Sequence, residues 1–260
     1  MSFTRPLTLK DRVGGADKEP LACTPLVGRD EAAVRRELDA VLAKGPDLIE
    51  WRVDFFAAIA DSARVVALGR EIRSAAGTIP IIFTRRSTRE GGTPITLDED
   101  GVFALYDAVC RSGCVDLFDV ELSSEPRHWQ QSLALARATG VRMVGSYHNF
   151  QNTPPMPELV AKFAAIAAGG ADVAKVAVMP QHLRDVLTLL DATLEARETL
   201  EVPLISMSMG AYGALSRLFG WMYGSTVSFA VGDKPSAPGQ VPIADLNAVV
   251  EVVTRALAAR

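Results

Sequence analysis

Lys175 lies in the run GGADVAKVAVMP (169–180), among small and β-branched apolar residues that read as a buried strand. A lysine there has two uses. As an ammonium it binds carboxylates or phosphates; as a neutral amine it adds to a ketone or aldehyde and forms a Schiff base. Burial disfavours the charged form. The apolar surroundings therefore favour the neutral amine, provided that nearby carboxylates pair with arginines instead. A protonated imine draws electrons, so the carbon beside it becomes acidic and needs a base. His148, closing the run VRMVGSYHNF, is the candidate, because imidazole titrates near neutrality. His128 (in PRHWQQ) and His182 (in PQHLRD) stand in helical openings, where surface or capping roles are expected.

These residues need elements to position them. From about residue 20 onward, strand-like runs alternate with stretches of helical apolar spacing: LACTPLVG before RDEAAVRRELDAVLAK, DLIEWRVDFF before DSARVVALGREIRSAA, and so on to STVSFAVG before PIADLNAVVEVVTRALAA. That makes roughly eight strand–helix units, the number that closes a parallel barrel. The expected fold is one (β/α)8 TIM-barrel domain over 1–260, to which PLTLKDRV before Gly14-Gly15 could add a short hairpin. An open doubly wound sheet is the competing architecture, but PLVGRDE is not its glycine-rich phosphate turn. Asp98, Asp100, Pro154-Pro155 and Asp245 stand near the expected helix starts.

Strand alternation then sorts the faces. In DLIEWRVDFF, Ile49, Trp51, Val53 and Phe55 form an apolar set, and Glu50, Arg52 and Asp54 the other. Parallel strands covered by helices are apolar outside, so the charges belong inside the barrel. Asp119 and Glu121 separate in the same way from Phe118 and Val120, and Lys175 shares parity with Val173 and Ala177. Arg85 and Arg86 point opposite ways, so one of them faces the barrel. Barrel sites lie at the C-terminal ends of strands, where Glu50, Arg52, Arg86, Glu121, His148 and Lys175 all fall.

Charge and composition remove other classes. The net charge of −4 comes without a basic stripe, which argues against nucleic acid. No apolar run reaches the roughly 20 residues of a membrane span, and MSFTRPLTLKDRVGG lacks a signal-peptide core. Cys23, Cys110 and Cys114 are an odd number in no metal spacing, which suggests buried thiols in a reducing cytoplasm. No metal site is expected from three scattered histidines. No nucleophile elbow or phosphate loop is present.

DLIEWRVD, FTRRSTREGG, GSYHNFQNTP, GADVAKVAVMP, SMSMGAYGALSR and SAPGQ together, in this order, resemble one family over nearly the whole chain: type I 3-dehydroquinate dehydratase, the Schiff-base-forming enzyme of the shikimate pathway. The resemblance implies dehydration of 3-dehydroquinate to 3-dehydroshikimate, no cofactor, a cytoplasmic setting and a homodimer. It implies that Lys175 attacks the C3 ketone, that His148 removes a C2 proton and assists loss of the C1 hydroxyl, and that Glu90 orients His148. Arg217 resembles the arginine that holds the substrate carboxylate. Glu50, Arg52 and Arg86 match residues bonded to substrate hydroxyls; Arg86 is chosen over Arg85 because it lies four residues before Glu90. Ser236 and Gln240 match a loop that closes over the ligand. Met207, Met209 and Phe229 match the pocket wall, with core packing an equal alternative. A class I aldolase uses a barrel lysine as well, but its phosphorylated substrates call for a phosphate-binding turn that is not evident here.

Overall fold

A computed structural model describes residues 6–14 and 19–258. Eight strand–helix pairs follow one another: β3 (Leu21–Leu26) and α1 (Glu31–Leu42), β4 (Leu48–Arg52) and α2 (Ser62–Ala76), β5 (Ile81–Thr84) and α3 (Glu99–Arg111), β6 (Leu117–Glu121) and α4 (Pro126–Thr139), β7 (Arg142–Asn149) and α5 (Met156–Ala168), β8 (Val173–Val178) and α6 (Leu183–Thr199), β9 (Leu204–Ser208) and α7 (Ala214–Tyr223), β10 (Val227–Phe229) and α8 (Ile243–Ala258). A hairpin of β1 (Leu7–Leu9) and β2 (Arg12–Gly14) precedes them. Gly15, in the anticipated hairpin, lies outside the described residues, as do both ends of the 1–260 span.

The eight barrel strands are all parallel, in the order β10-β3-β4-β5-β6-β7-β8-β9. The ring closes through a parallel bridge between Leu204 and Ser225, where Thr226 N–H donates to Leu204 O at 2.7 Å. Consecutive strands are neighbours throughout, so the open doubly wound alternative is excluded. The helix starts follow local chemistry: Asp98 accepts from Gly101 N–H at 2.8 Å to cap α3, and α5 begins directly after Pro155.

Two apolar layers result from the strand alternation. Ile49, Trp51, Val53, Phe118, Val120, Val176 and Val178 pack outward among the helices. Leu48, Ile82, Leu117, Val144, Val173 and Ala177 fill the interior, joined there by Leu7 and Leu9 of the hairpin. Each fully buried leucine contributes about 1.5–3 kcal/mol, so the hairpin seals the N-terminal end of the barrel and leaves the C-terminal mouth for chemistry. Phe55 departs from the expected strand pattern. β4 ends at Arg52 and a 3₁₀ turn (Val53–Phe55) takes over, which carries the Phe55 ring under the Arg52 guanidinium, 5.0 Å from its centroid. His128 also departs from expectation: it is 5% exposed, held at 2.8 Å by Asp100 Oδ1. Its helix is amphipathic, and this turn faces inward. His182 does cap α6, in a capping box with Asp185.

Candidate active site

Lys175 sits on the interior face of β8, 4% exposed. Its Nζ lies 3.3 Å from Asp119 Oδ2 on β6, 3.4 Å from Glu50 Oε1 on β4, and 4.6 Å from the centroid of the Phe229 ring. The expectation that carboxylates would leave this amine to pair with arginines holds only for Glu121, which binds Arg86 and Ser87. Among the described residues Glu50 contacts no arginine, and it pairs with Lys175. Parity turns these β4 and β6 charges inward, and the stagger of the strands brings both carboxylates to the lysine. Asp119 is fixed from behind: Tyr106, in an edge-on aromatic run with Phe83 and Phe118, donates its hydroxyl to the Asp119 backbone oxygen at 2.8 Å.

His148 ends the interior run of β7, paired in register with Ala177 of β8, two residues beyond Lys175. Glu90 Oε2 accepts from His148 backbone N–H at 3.0 Å and meets Nδ1 at 2.9 Å. When Glu90 is ionised it draws the ring proton to Nδ1 and leaves Nε2 with its lone pair. Ser123 Oγ donates to the other oxygen of Glu90 at 2.8 Å. The glycines after Glu90 make this possible. A Cβ on Gly92 would fall 1.9 Å from Arg86 O, and Gly91 adopts φ +83° beneath the Phe150 ring, so the loop folds back tightly enough for Glu90 to reach His148.

Burial, reinforced by Arg86, Lys175 and Arg52, holds His148 well below its ordinary 6.5. Burial and then Glu121 push the Glu90 carboxyl up to about 7, against the pull of Arg86 and Ser123. The histidine therefore stands neutral at pH 7, ready to accept a proton. A carboxyl raised in this way costs nothing below its ordinary 4.5 and destabilises the fold as pH rises through about 7. Glu90→Gln is thus expected to melt like the parent at pH 4 and roughly 2–6 °C higher at pH 8. Thermal scans at the two values check this.

The arginines differ in how they are compensated. Arg86, not Arg85, faces inward, and it meets Asp119 at 2.8 Å, Glu121 at 3.0 Å and Glu90 at 3.8 Å. Arg85 turns out to Glu99 on α3. Arg52 forms a two-pronged pair with Asp54 at 2.8 and 2.9 Å. Arg217, from the first turns of α7, is 2% exposed and has no carboxylate partner among the described residues. It donates to Phe229 O at 3.3 Å and Pro238 O at 3.2 Å, and its Nε has no partner. Burial without a countercharge lowers its pKa to about 10. A buried guanidinium in this state is completed by an anionic ligand.

The segment 232–240 covers the mouth. Ser236 O accepts from Arg52 at 3.3 Å, Pro238 O accepts from Gly210 N–H at 3.1 Å, and Ser236 and Gln240 bond to each other at 2.9 and 3.3 Å. Lys234 ties its base to Glu37 at 3.3 Å. Every residue singled out from the sequence as catalytic, substrate-binding or pocket wall lines this one cleft, together with Phe150, Ala177 and Ala237. Met207 and Phe229 serve the interior core and the cleft at once. Beyond the alanines, the residues at the site outside those candidates include Asp119, placed inward but without a role; Ser123, which lies past the end of β6 where alternation no longer speaks; and Phe150. No group of residues with metal-ligand character occurs among the described residues.

The architecture and this cleft, a lysine, a carboxylate-bound histidine and an uncompensated arginine at the C-terminal mouth, are those of a barrel enzyme. Residues 22–256 match the family model described as "Type I 3-dehydroquinase". The chain is 61% identical over 257 residues to a 3-dehydroquinate dehydratase of Aromatoleum aromaticum, covering 99% of each. The crystal structure of the 3-dehydroquinate dehydratase from Geobacillus kaustophilus superposes with a TM-score of 0.94 at 46% identity, over 96% of this chain and 97% of that one. A type I enzyme from Clostridium difficile, crystallised with covalent modified comenic acid, gives 0.92 at 34% identity over 97% and 99%. The chain belongs to the type I 3-dehydroquinase family.

Proposed function

We propose that this chain dehydrates 3-dehydroquinate to 3-dehydroshikimate through a Schiff base on Lys175, without metal or organic cofactor, as a step of aromatic biosynthesis or of quinate breakdown. The observation that carries the reading is the cleft itself: a buried amine on its floor, a histidine on the adjacent strand bound by a carboxyl group, and one uncompensated cation above. Arg217 takes the substrate carboxylate, which supplies the missing countercharge. Arg52, Arg86, Glu50, Ser236 and Gln240 meet the hydroxyls; Met207, Met209 and Phe229 exclude water.

The neutral Lys175 nitrogen bonds to the C3 carbonyl carbon, and the carbinolamine hydroxyl takes up a proton and leaves as water, so that a protonated imine remains. His148 Nε2 removes a C2 proton, and the C–H electrons move toward the iminium nitrogen to give an enamine. The enamine expels the C1 hydroxyl, which leaves as water with the proton from His148. Hydrolysis of the remaining iminium frees the product and the lysine. Glu90 stabilises the imidazolium that forms between the two proton transfers. The covalently modified relative from Clostridium difficile agrees with covalent chemistry in this family.

The product is a conjugated enone, so a rise in ultraviolet absorbance on mixing with 3-dehydroquinate tests the activity; no rise at any substrate concentration contradicts it. Arg217→Met is expected to raise KM by on the order of 10²-fold or more, the range for removing one partner of a buried charge pair. Steady-state kinetics against substrate concentration check this. The reading also includes a homodimer, tested by light scattering, and a cytoplasmic setting, with which three buried free cysteines agree. No described helix is long and apolar enough to cross a membrane.

A further inference from the structure

Imine formation needs protons moved at the lysine itself. Lys175 gives one up before its nitrogen attacks, and the carbinolamine oxygen gains one before it leaves as water. Two carboxylates stand within 3.3–3.4 Å of Nζ, and they are not equivalent. Asp119 is wholly buried and does not line the cleft. Its two oxygens are taken up by Arg86 Nη2 at 2.8 Å and Ser146 Oγ at 2.6 Å. Burial opposes its charge, but Arg86 and Lys175 outweigh that and hold the carboxyl below its ordinary range. Glu50 lines the cleft. Apart from Lys175, it has one hydrogen bond among the described residues, from Thr84 to Oε1 at 2.9 Å, and Oε2 takes none. Only Glu50 can exchange a proton without breaking an arginine pair.

We infer that Glu50 carries the protons of imine formation and hydrolysis, while Asp119 stays ionised as the fixed counter-ion of the lysine nitrogen. This rests on the Schiff-base reading above. Glu50 accepts the ammonium proton. The freed nitrogen bonds to the carbonyl carbon, and the carbonyl electron pair moves to oxygen. A proton passes from nitrogen to that oxygen, giving the neutral carbinolamine. The Glu50 carboxylic acid then protonates the hydroxyl, the C–O bond breaks, and water leaves. The result is an iminium, with Glu50 again ionised and the net charge unchanged. Asp119 neutralises ammonium and iminium alike and never changes protonation. His148 and Glu90 are left free for the C2 and C1 steps.

The test is single-turnover imine formation at saturating substrate, quenched with borohydride and read as adduct mass. Glu50→Ala is expected to form the imine about 10²–10⁴-fold more slowly, the loss typical of a general acid–base group. Formate and acetate should restore its rate according to their acid strength, which marks proton transfer and which a positioning role does not produce. Asp119→Asn should not respond to either, because the cleft does not reach that position. Glu50→Gln keeps the side-chain shape and should be as slow as Glu50→Ala, providing the comparison where the alanine variant fails to fold. An unmodified wild-type lysine removes the Schiff-base reading itself. A trapped wild type together with an unslowed Glu50→Gln, a rescue indifferent to acid strength, or a rescued Asp119→Asn overturns the assignment of Glu50 while leaving that reading intact.

Discussion

Lys175→Ala is expected to lower kcat by roughly 10⁴–10⁶-fold, the range lost when an enzyme is deprived of its covalent nucleophile. The loss is large because no other amine is available. Lys175 is the lysine of the cleft, and the cations around it are guanidinium groups, which do not deprotonate to add to a ketone. The substitution also removes a countercharge from two buried carboxylates. Asp119 keeps Arg86 as partner, whereas Glu50 keeps, among the described residues, only the Thr84 hydroxyl. The barrel, held by its two apolar layers, should fold with a lowered melting temperature. Steady-state turnover alongside circular dichroism separates the chemical loss from a folding defect. A variant that folds and retains turnover within tenfold of the parent would remove the lysine from the mechanism.

His148→Ala has the second largest expected effect, a loss of about 10²–10⁴ in kcat, and differs from the first in kind. The imine should still form, because Lys175 keeps its ion-pair partners on β4 and β6 and neither is held by His148. Substrate should then accumulate on the lysine, since the C2 proton has no acceptor. Mass spectrometry of borohydride-treated samples distinguishes the outcomes: adduct present with turnover nearly gone is expected, while loss of adduct as well would place the histidine in the imine step. Glu90 loses the imidazole in this variant but retains Ser123 and the backbone N–H of residue 148.

Much of this arrangement was legible in the residues because period-two alternation is enforced by burial on both faces of a parallel sheet. Lys175 in parity with Val173 and Ala177 could point only inward, and the interior layer contains both of those residues. Glu50 and Arg52 against Ile49 and Trp51 follow the same logic. Alternation fails where a strand ends. Alternation groups Phe55 with the outward set, but the backbone turns into a 3₁₀ helix directly after Arg52. His128 was read from its position at a helix opening, although which side of that turn meets the barrel depends on how α4 docks.

The partner of Lys175 was beyond the sequence for a different reason. Asp119 was correctly placed on the inner face of β6. Whether it meets a lysine on β8, across the intervening β7, depends on the stagger of strands around the ring and on Ser146 being small enough to let Asp119 and Arg86 through. Neither quantity is written in a single strand. Glu90 and Arg217 lie on a loop and a helix, and their place rested on the family resemblance. In the structure, the fold-back at Gly91-Gly92 gives Glu90 its reach. Arg217 is the buried guanidinium that the described residues leave without an acid.

The most direct test of the account is reduction with borohydride in the presence of 3-dehydroquinate, followed by peptide mass mapping. The account expects one adduct, on the peptide carrying Lys175, with irreversible loss of activity, and no adduct when either reagent is omitted. An enzyme that turns over 3-dehydroquinate yet leaves Lys175 unmodified under these conditions would contradict it.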